Sequence, residues 1–226
     1  MAATAFLLAA GLGTRLRPYT LTTPKPLLPV GGRPMLDIAL AHLRAHGHRE
    51  VVVNAFWLAE QIVDWAARQP GVTAIVESPT ILGTGGGLRN ARHLLAERFC
   101  VVNGDILCDV DLTALWNEPA PAVMALRAQA DGRHTGVALR EGRVTGIAGI
   151  VGEADASLHF TGIHVLDRAV LDLVPPTGEA CIVRSAYREL VAEGRVRGMV
   201  HPGRWVDIGT VEEYERVRDG EPGGSA

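Results

Sequence analysis

Over its first hundred residues the chain alternates short apolar runs with stretches of helical spacing, and this restricts the fold more than any other feature. Apolar runs occupy residues 4–9, 50–54, 72–77 and 99–103. Between the first two, Met35, Leu36, Ile38, Ala39, Leu40 and Leu43 recur at helical intervals, with Pro34 ahead of them and Gly47 behind. Proline suits a first helical turn and glycine a C-cap. Residues 34–46, 58–68 and 85–96 are therefore expected as helices. Strand and helix in alternation predict an α/β fold around a largely parallel sheet.

Beyond residue 120 the rhythm changes. Strand-like pieces at 122–126, 136–139, 143–147 and 160–165 follow one another, with a turn signal at Glu141-Gly142. Helices are expected at 185–193 and 211–218, and extended pieces at 196–201 and 205–207. This half is expected to add antiparallel or mixed strands to the first. No repeat and no Ser/Pro linker divides the chain, so residues 1–218 read as one domain and 219–226 as a flexible tail.

Composition closes off several function classes. Hydrophobic residues make up 47% of the 226, too many for a disordered chain. A net charge of −3 leaves no basic excess for a nucleic-acid backbone. No apolar run approaches the roughly 20 residues that cross a bilayer, and no positive leader precedes residues 5–10. Neither nucleic acid nor membrane is expected as a partner. Cys100, Cys108 and Cys181 lack the paired spacing of a zinc cage, and their odd number suits a reducing, cytoplasmic setting.

Residues 11–30 (GLGTRLRPYTLTTPKPLLPV) carry the chemistry. Glycines 11 and 13 follow an apolar strand, and backbone without Cβ lets N–H groups approach a phosphate. The dinucleotide fingerprint would need glycine where Leu16 stands, and no Walker pattern occurs. Arg15 follows at once. Lys25 sits between Pro24 and Pro26, each of which restrains the backbone. It is the one lysine among 22 basic residues. Lysine is a compact point charge and arginine a planar fork, so a tight site can demand one and exclude the other.

That segment, with LGTGGGL at 82–88, VNGD at 102–105, FTGIHVL at 160–166 and WVDIGT at 205–210, resembles the signature of the sugar-1-phosphate nucleotidyltransferases, or NDP-sugar pyrophosphorylases. The resemblance implies a single Rossmann-like α/β domain with a mixed, mostly parallel central sheet, the nucleotide-diphospho-sugar transferase fold. It implies an Mg²⁺-dependent enzyme that joins an NTP to a sugar 1-phosphate and releases pyrophosphate. Ala10, Gly11, Gly13, Thr14, Arg15 and Asn103 would hold the nucleotide, and Arg15 and Lys25 would act on the reacting phosphates. Asp105 and Asp207 would hold the metal. Glu77 and Gly83 would meet the base, and Gly136, Thr161 and Gly162 the sugar.

UTP and GTP both stay open. A carboxylate at Glu77 suits guanine's two adjacent donors better than uracil's one, whereas the segment NAFWLAEQI at 54–62 is similar to the uridylyltransferase branch that acts on a muramate sugar. Guanylyltransferase branches acting on mannose or heptose are the rivals. Relatives with a Glu-Lys-Pro element grip the sugar phosphate through its lysine. Residues 151–158 contain no cation, which leaves Arg184 or Arg204 to replace it. Asp109 and Asp111 read as turn or helix-cap groups, and His42 and His46 as the polar flank of a helix. A non-catalytic nucleotide-sugar sensor would be expected to lack Arg15, Lys25 or an aspartate, and all are present. A monomer or small homo-oligomer is expected.

Overall fold

The computed structural model describes residues 2–129, 132–154 and 157–219. The chain runs β1 (Ala3–Leu8), β2 (Pro29–Val30), β3 (Arg33–Pro34), α1 (Met35–Ala45), β4 (Val51–Ala55), α2 (Ala59–Ala67), β5 (Val72–Val76), α3 (Gly83–Asn90), β6 (Leu95–Asn103) and β7 (Ile106–Cys108). It continues with α4 (Leu112–Asn117), β8 (Ala122–Ala128), β9 (Val137–Arg140), β10 (Arg143–Ile147), β11 (Leu158–Asp167), α5 (Arg188–Ala192), β12 (Val196–Val200), β13 (Trp205–Asp207) and α6 (Val211–Arg218). The tail from residue 220 lies outside the described residues.

Nine strands form one sheet in the order β5-β4-β1-β6-β11-β8-β12-β10-β9. Seven run the same way, and β11 and β10 run against them. The sheet is thus mixed and mostly parallel, as the alternation predicts. The short β13 and β7 pair separately, as do β2 and β3. No helix among the described residues is long and apolar enough to cross a membrane.

Continuous apolar strands follow from cover on both faces. Phe6, Val52, Val101 and Met124 pack into one core layer, while Leu7, Val53, Val102 and Val123 pack into the other. Each such fully buried side chain stabilises the fold by about 1.5–3 kcal/mol relative to exposure. A third cluster joins Leu16 and Leu28 of the glycine-and-proline segment to Ile208, Tyr214 and Val217 near the end of the chain.

Glu141 and Gly142 both take positive φ, 51° and 72°, the backbone of the two-residue turn that matches hairpin twist. Two expectations need correction. The helix expected over 85–96 is α3, Gly83–Asn90, and β6 begins at Leu95 rather than at 99. Leu94, Leu95 and Ala96 are good helix formers, but pairing of Leu95 with Ala3 overrides that local preference. The helix expected from 185 opens as a wider π turn, Val183–Tyr187, before α5.

Candidate active site

Strands β1, β4 and β6 lie side by side and parallel, so their carboxyl ends open on one rim of the sheet. Open α/β sheets bind ligands at such a rim. A cavity of about 540 Å³ lies there, and Ala10, Gly11, Glu77, Gly83, Asn103 and Asp105 all line it. Six residues singled out from sequence for nucleotide or metal thus share one wall.

The segment after β1 is held in place by its own contacts. Gly13 has a φ of +63°, and a Cβ there would lie 2.8 Å from the Thr20 methyl. The Thr20 hydroxyl donates to the Gly13 carbonyl at 2.7 Å, and the Trp57 indole donates to the Thr20 carbonyl at 2.8 Å. Thr14 and Arg15 stay exposed. The Arg15 guanidinium lies 3.5 Å from where a Cβ on Gly209 would stand, so it reaches toward the loop after β13.

Lys25 is only 8% exposed, and its ammonium donates to Asp105 Oδ2 at 2.5 Å. The antiparallel pairing of β13 with β7 sets Asp207 opposite Ile106, next to Asp105. This closes a separation of 102 positions in sequence. Burial pushes the Asp207 carboxyl up, the Asp105 carboxylate pushes it further, and Lys25 opposes them. Two carboxylates crowded against one ammonium are a donor set that a divalent cation relieves.

Glu77 is 2% exposed. One of its oxygens accepts from Asn54 Nδ2 at 2.8 Å and the other from the Leu82 backbone N–H at 2.6 Å. Asn54 in turn accepts from the Ala9 N–H at 2.7 Å. Glu77 therefore lines the cavity as a brace that ties the loop after β5 to β4 and, through Asn54, to the loop after β1, with both oxygens engaged by protein. A Cβ on Gly87 would lie 2.6 Å from Glu77 Oε1, so this brace needs a bare backbone beside it. Sequence reading passed over Asn54. The available signal was an amide in an otherwise apolar strand, where a buried polar group requires partners.

On the sugar side, Thr161 is 1% exposed. Its hydroxyl donates to the Ala125 carbonyl at 2.8 Å and accepts from the Ile163 N–H at 3.3 Å. These two bonds tie the irregular stretch of β11 to β8. Gly162 has a φ of +79°, and a Cβ there would lie 2.5 Å from Asn103 Nδ2. Its bare backbone lets Asn103 reach the cavity. Gly136 bridges to His159, and its carbonyl accepts from the Ala148 N–H at 2.9 Å. Arg184 lines a second cavity and Arg204 does not. Asp111 caps α4 by accepting from Ala114 N–H at 3.0 Å, and His201 pairs with Asp109 at 2.9 Å. The rings of His42 and His46 meet edge to face at the carboxyl end of α1. Among the described residues no group of three or more His, Cys, Asp or Glu is placed to hold a metal ion.

A glycine-rich segment, a buried lysine on a rim aspartate and a second aspartate beside them share this rim, and the chain belongs to the nucleotidyl transferase family, which matches residues 4–221. An N-acetylmuramate α-1-phosphate uridylyltransferase of Neisseria meningitidis is 33% identical over 92% of this chain and 93% of its own. A mannose-1-phosphate guanylyltransferase of Mycobacterium tuberculosis is 31% identical over 94% of this chain, which spans 62% of that protein. The crystal structure of HddC from Yersinia pseudotuberculosis superposes with a TM-score of 0.78 at 23% identity, over 96% of this chain and 98% of that one.

Proposed function

We propose that the protein transfers a uridylyl group from UTP to N-acetylmuramate 1-phosphate, giving the UDP-sugar and pyrophosphate. The observation that carries nucleotidyl transfer is the Lys25–Asp105–Asp207 cluster at the mouth of the nucleotide cavity. The choice of substrates is supported by the Neisseria relative, which matches nearly end to end. A phosphate oxygen of the acceptor attacks the α-phosphorus of UTP, and the bond to the β-phosphate oxygen breaks. The acceptor phosphate is already ionised, so no general base is required, and the work is positioning and charge neutralisation.

Residues 10–15 offer backbone N–H groups and the Arg15 guanidinium to the triphosphate. Lys25 carries its charge to the reacting phosphates from a fixed, buried position. Asp105 and Asp207 would hold Mg²⁺, which takes one or two carboxylates with phosphate oxygens and water. When bound, the ion supplies neutralisation of the charge that gathers between the two substrates. Because Asn54 and Leu82 already engage the Glu77 carboxylate, we assign the base contacts to the backbone of 81–84. We place the enzyme in the cytoplasm, where NTPs are available, as a supplier of a cell-wall precursor.

The test is pyrophosphate release measured for four NTPs against a panel of sugar 1-phosphates. UTP with N-acetylmuramate 1-phosphate should give the highest kcat/KM. A tenfold preference for GTP, or for mannose or heptose 1-phosphate, would overturn the assignment.

A further inference from the structure

A second cavity, of about 770 Å³, opens beside the irregular stretch of β11. Met124, Val137, Ile147, Ile150, Phe160 and Val183 make its apolar walls. Polar groups enter from His134, Thr135, Cys181 and Arg184. Among the described residues that line it there is no Asp, Glu, Asn or Gln. Neighbouring hydroxyls of a plain hexose are best met by carboxylates and amides, which accept or both donate and accept. Against these walls such hydroxyls would give up water for little in return.

The lining suits a ligand that is apolar over most of its surface and carries one anion. Arg184 is the cation in place. It stands in the π turn before α5, lines the cavity, is exposed, and makes no hydrogen bond or ion pair with another described residue. Lys25, Asp105 and Asp207 do not line this cavity. The link between the two regions is His134, which stacks on His159 at 4.5 Å and meets the ring of Trp205 edge-on at 5.4 Å, on the same strand as Asp207. An acceptor with its phosphate at the aspartates would extend past His134, and Arg184 would meet the far side of the sugar.

We propose that this cavity holds the acceptor sugar and that Arg184 forms an ion pair with a carboxylate borne by that sugar, so that the acceptors are N-acylated, acidic sugar 1-phosphates. The apolar walls take the acyl methyl and the ring face, and the guanidinium supplies a paired fork for the carboxylate. The proposal rests on the nucleotidyl-transfer reading above and adds the residue that selects the acceptor.

The experiment compares N-acetylmuramate 1-phosphate with N-acetylglucosamine 1-phosphate, which keeps the acetamido group and lacks the carboxylate. The readout is the ratio of their kcat/KM values, taken with whichever NTP turns over best. The wild type should favour the acidic acceptor at least tenfold. Arg184→Ala should lower that ratio tenfold or more, Arg184→Lys should keep part of it, and Arg184→Glu should reverse it. A second readout is independent of turnover: the acidic acceptor should slow maleimide labelling of Cys181, which is exposed on the same wall. A wild type that favours the neutral acceptor, or a ratio unchanged in Arg184→Ala, overturns the proposal. Absence of pyrophosphate release with every acceptor, with Cys181 still protected by the acidic one in an Arg184-dependent way, would sink the transfer reading and leave this one standing.

Discussion

Lys25 shows how tightly a single side chain is specified. It is flanked by prolines, its ammonium sits 2.5 Å from Asp105, and its Cβ lies 3.3 Å from where Gly13 would carry one. A guanidinium keeps the charge but is longer, flatter and wider. Lys25→Arg should therefore lower kcat/KM at least tenfold, a loss of about 1.4 kcal/mol in transition-state stabilisation. Near-wild-type turnover by the arginine variant would contradict this. Glu77 gives a different kind of prediction. In Glu77→Gln one end of the side chain becomes a donor, facing either the Asn54 amide donor or the Leu82 N–H. Asn54 cannot rotate to help without losing the Ala9 N–H. The variant should lose about 1–3 kcal/mol of stability and lower UTP and GTP use in the same proportion, as urea denaturation and paired kinetics would show. A selective loss of GTP use would instead mean that Glu77 contacts the base. Lys25 stood out as the one lysine among 22 basic residues, and Asp105 and Asp207 through the resemblance of VNGD and WVDIGT to the family signature; the contact of Lys25 with Asp105 and the place of Asp207 beside Asp105 needed the fold. The brace role of Glu77 was not legible, because Leu82 lies five positions on, across a loop, and Asn54 lies 23 positions back in a neighbouring strand.

At the scale of elements, α6 does more than finish the fold. Thr210 accepts from the Glu213 N–H at 3.3 Å, while Glu213 Oε2 accepts from the N–H groups of Gly209 and Thr210 at 2.8 and 3.0 Å. This capping box steadies the loop that leaves Asp207. Thr210→Ala should cost about 1 kcal/mol and raise the Mg²⁺ concentration needed for half-maximal rate, since Asp207 would be less firmly placed. A melting curve and a metal titration check the two halves. A variant with lowered melting temperature and unchanged metal dependence would confine the box to stability. Elements bounded by strong signals, such as β10 after Glu141-Gly142 and α6 after Thr210, were readable to the residue. The start of β6 was not, because Leu95 and Ala96 suit a helix locally and pairing of Leu95 with β1 makes them a strand. The partner order of the nine strands was equally hidden, since composition says that a strand is buried and not beside which neighbour.

For the whole molecule, burial of histidines sets the acid limit. Burial lowers the pKa of His42 and His48, and brings that of His164, hydrogen-bonded to the Tyr187 hydroxyl, down to about 3. The unfolded chain takes up protons near pH 6.5 while the folded chain does not, so these groups favour unfolding as pH falls below that value. His164 alone should contribute a loss of about 1.4 kcal/mol per pH unit between pH 6.5 and its folded pKa. Urea denaturation at pH 7.0, 6.0 and 5.0 should show the decline, and His164→Gln should flatten it whatever it does to stability at pH 7; an unchanged slope would remove His164 from the account. One further consequence follows from the meeting of early and late segments. The glycine-and-proline segment is clamped by α6 through Tyr19 Oη on Glu215 at 2.8 Å, Tyr214 Oη on the Pro29 carbonyl at 3.1 Å and the Gly31 N–H on the Arg218 carbonyl at 2.7 Å. Asp207 arrives only with β13. A chain emerging from the ribosome, amino end first, carries Lys25 and Asp105 long before their counterparts exist. On the proposed roles of Lys25, Asp105 and Asp207, the centre is complete only when residues 205–218 have cleared the exit tunnel, so an interrupted translation product would have most of the sheet and no activity.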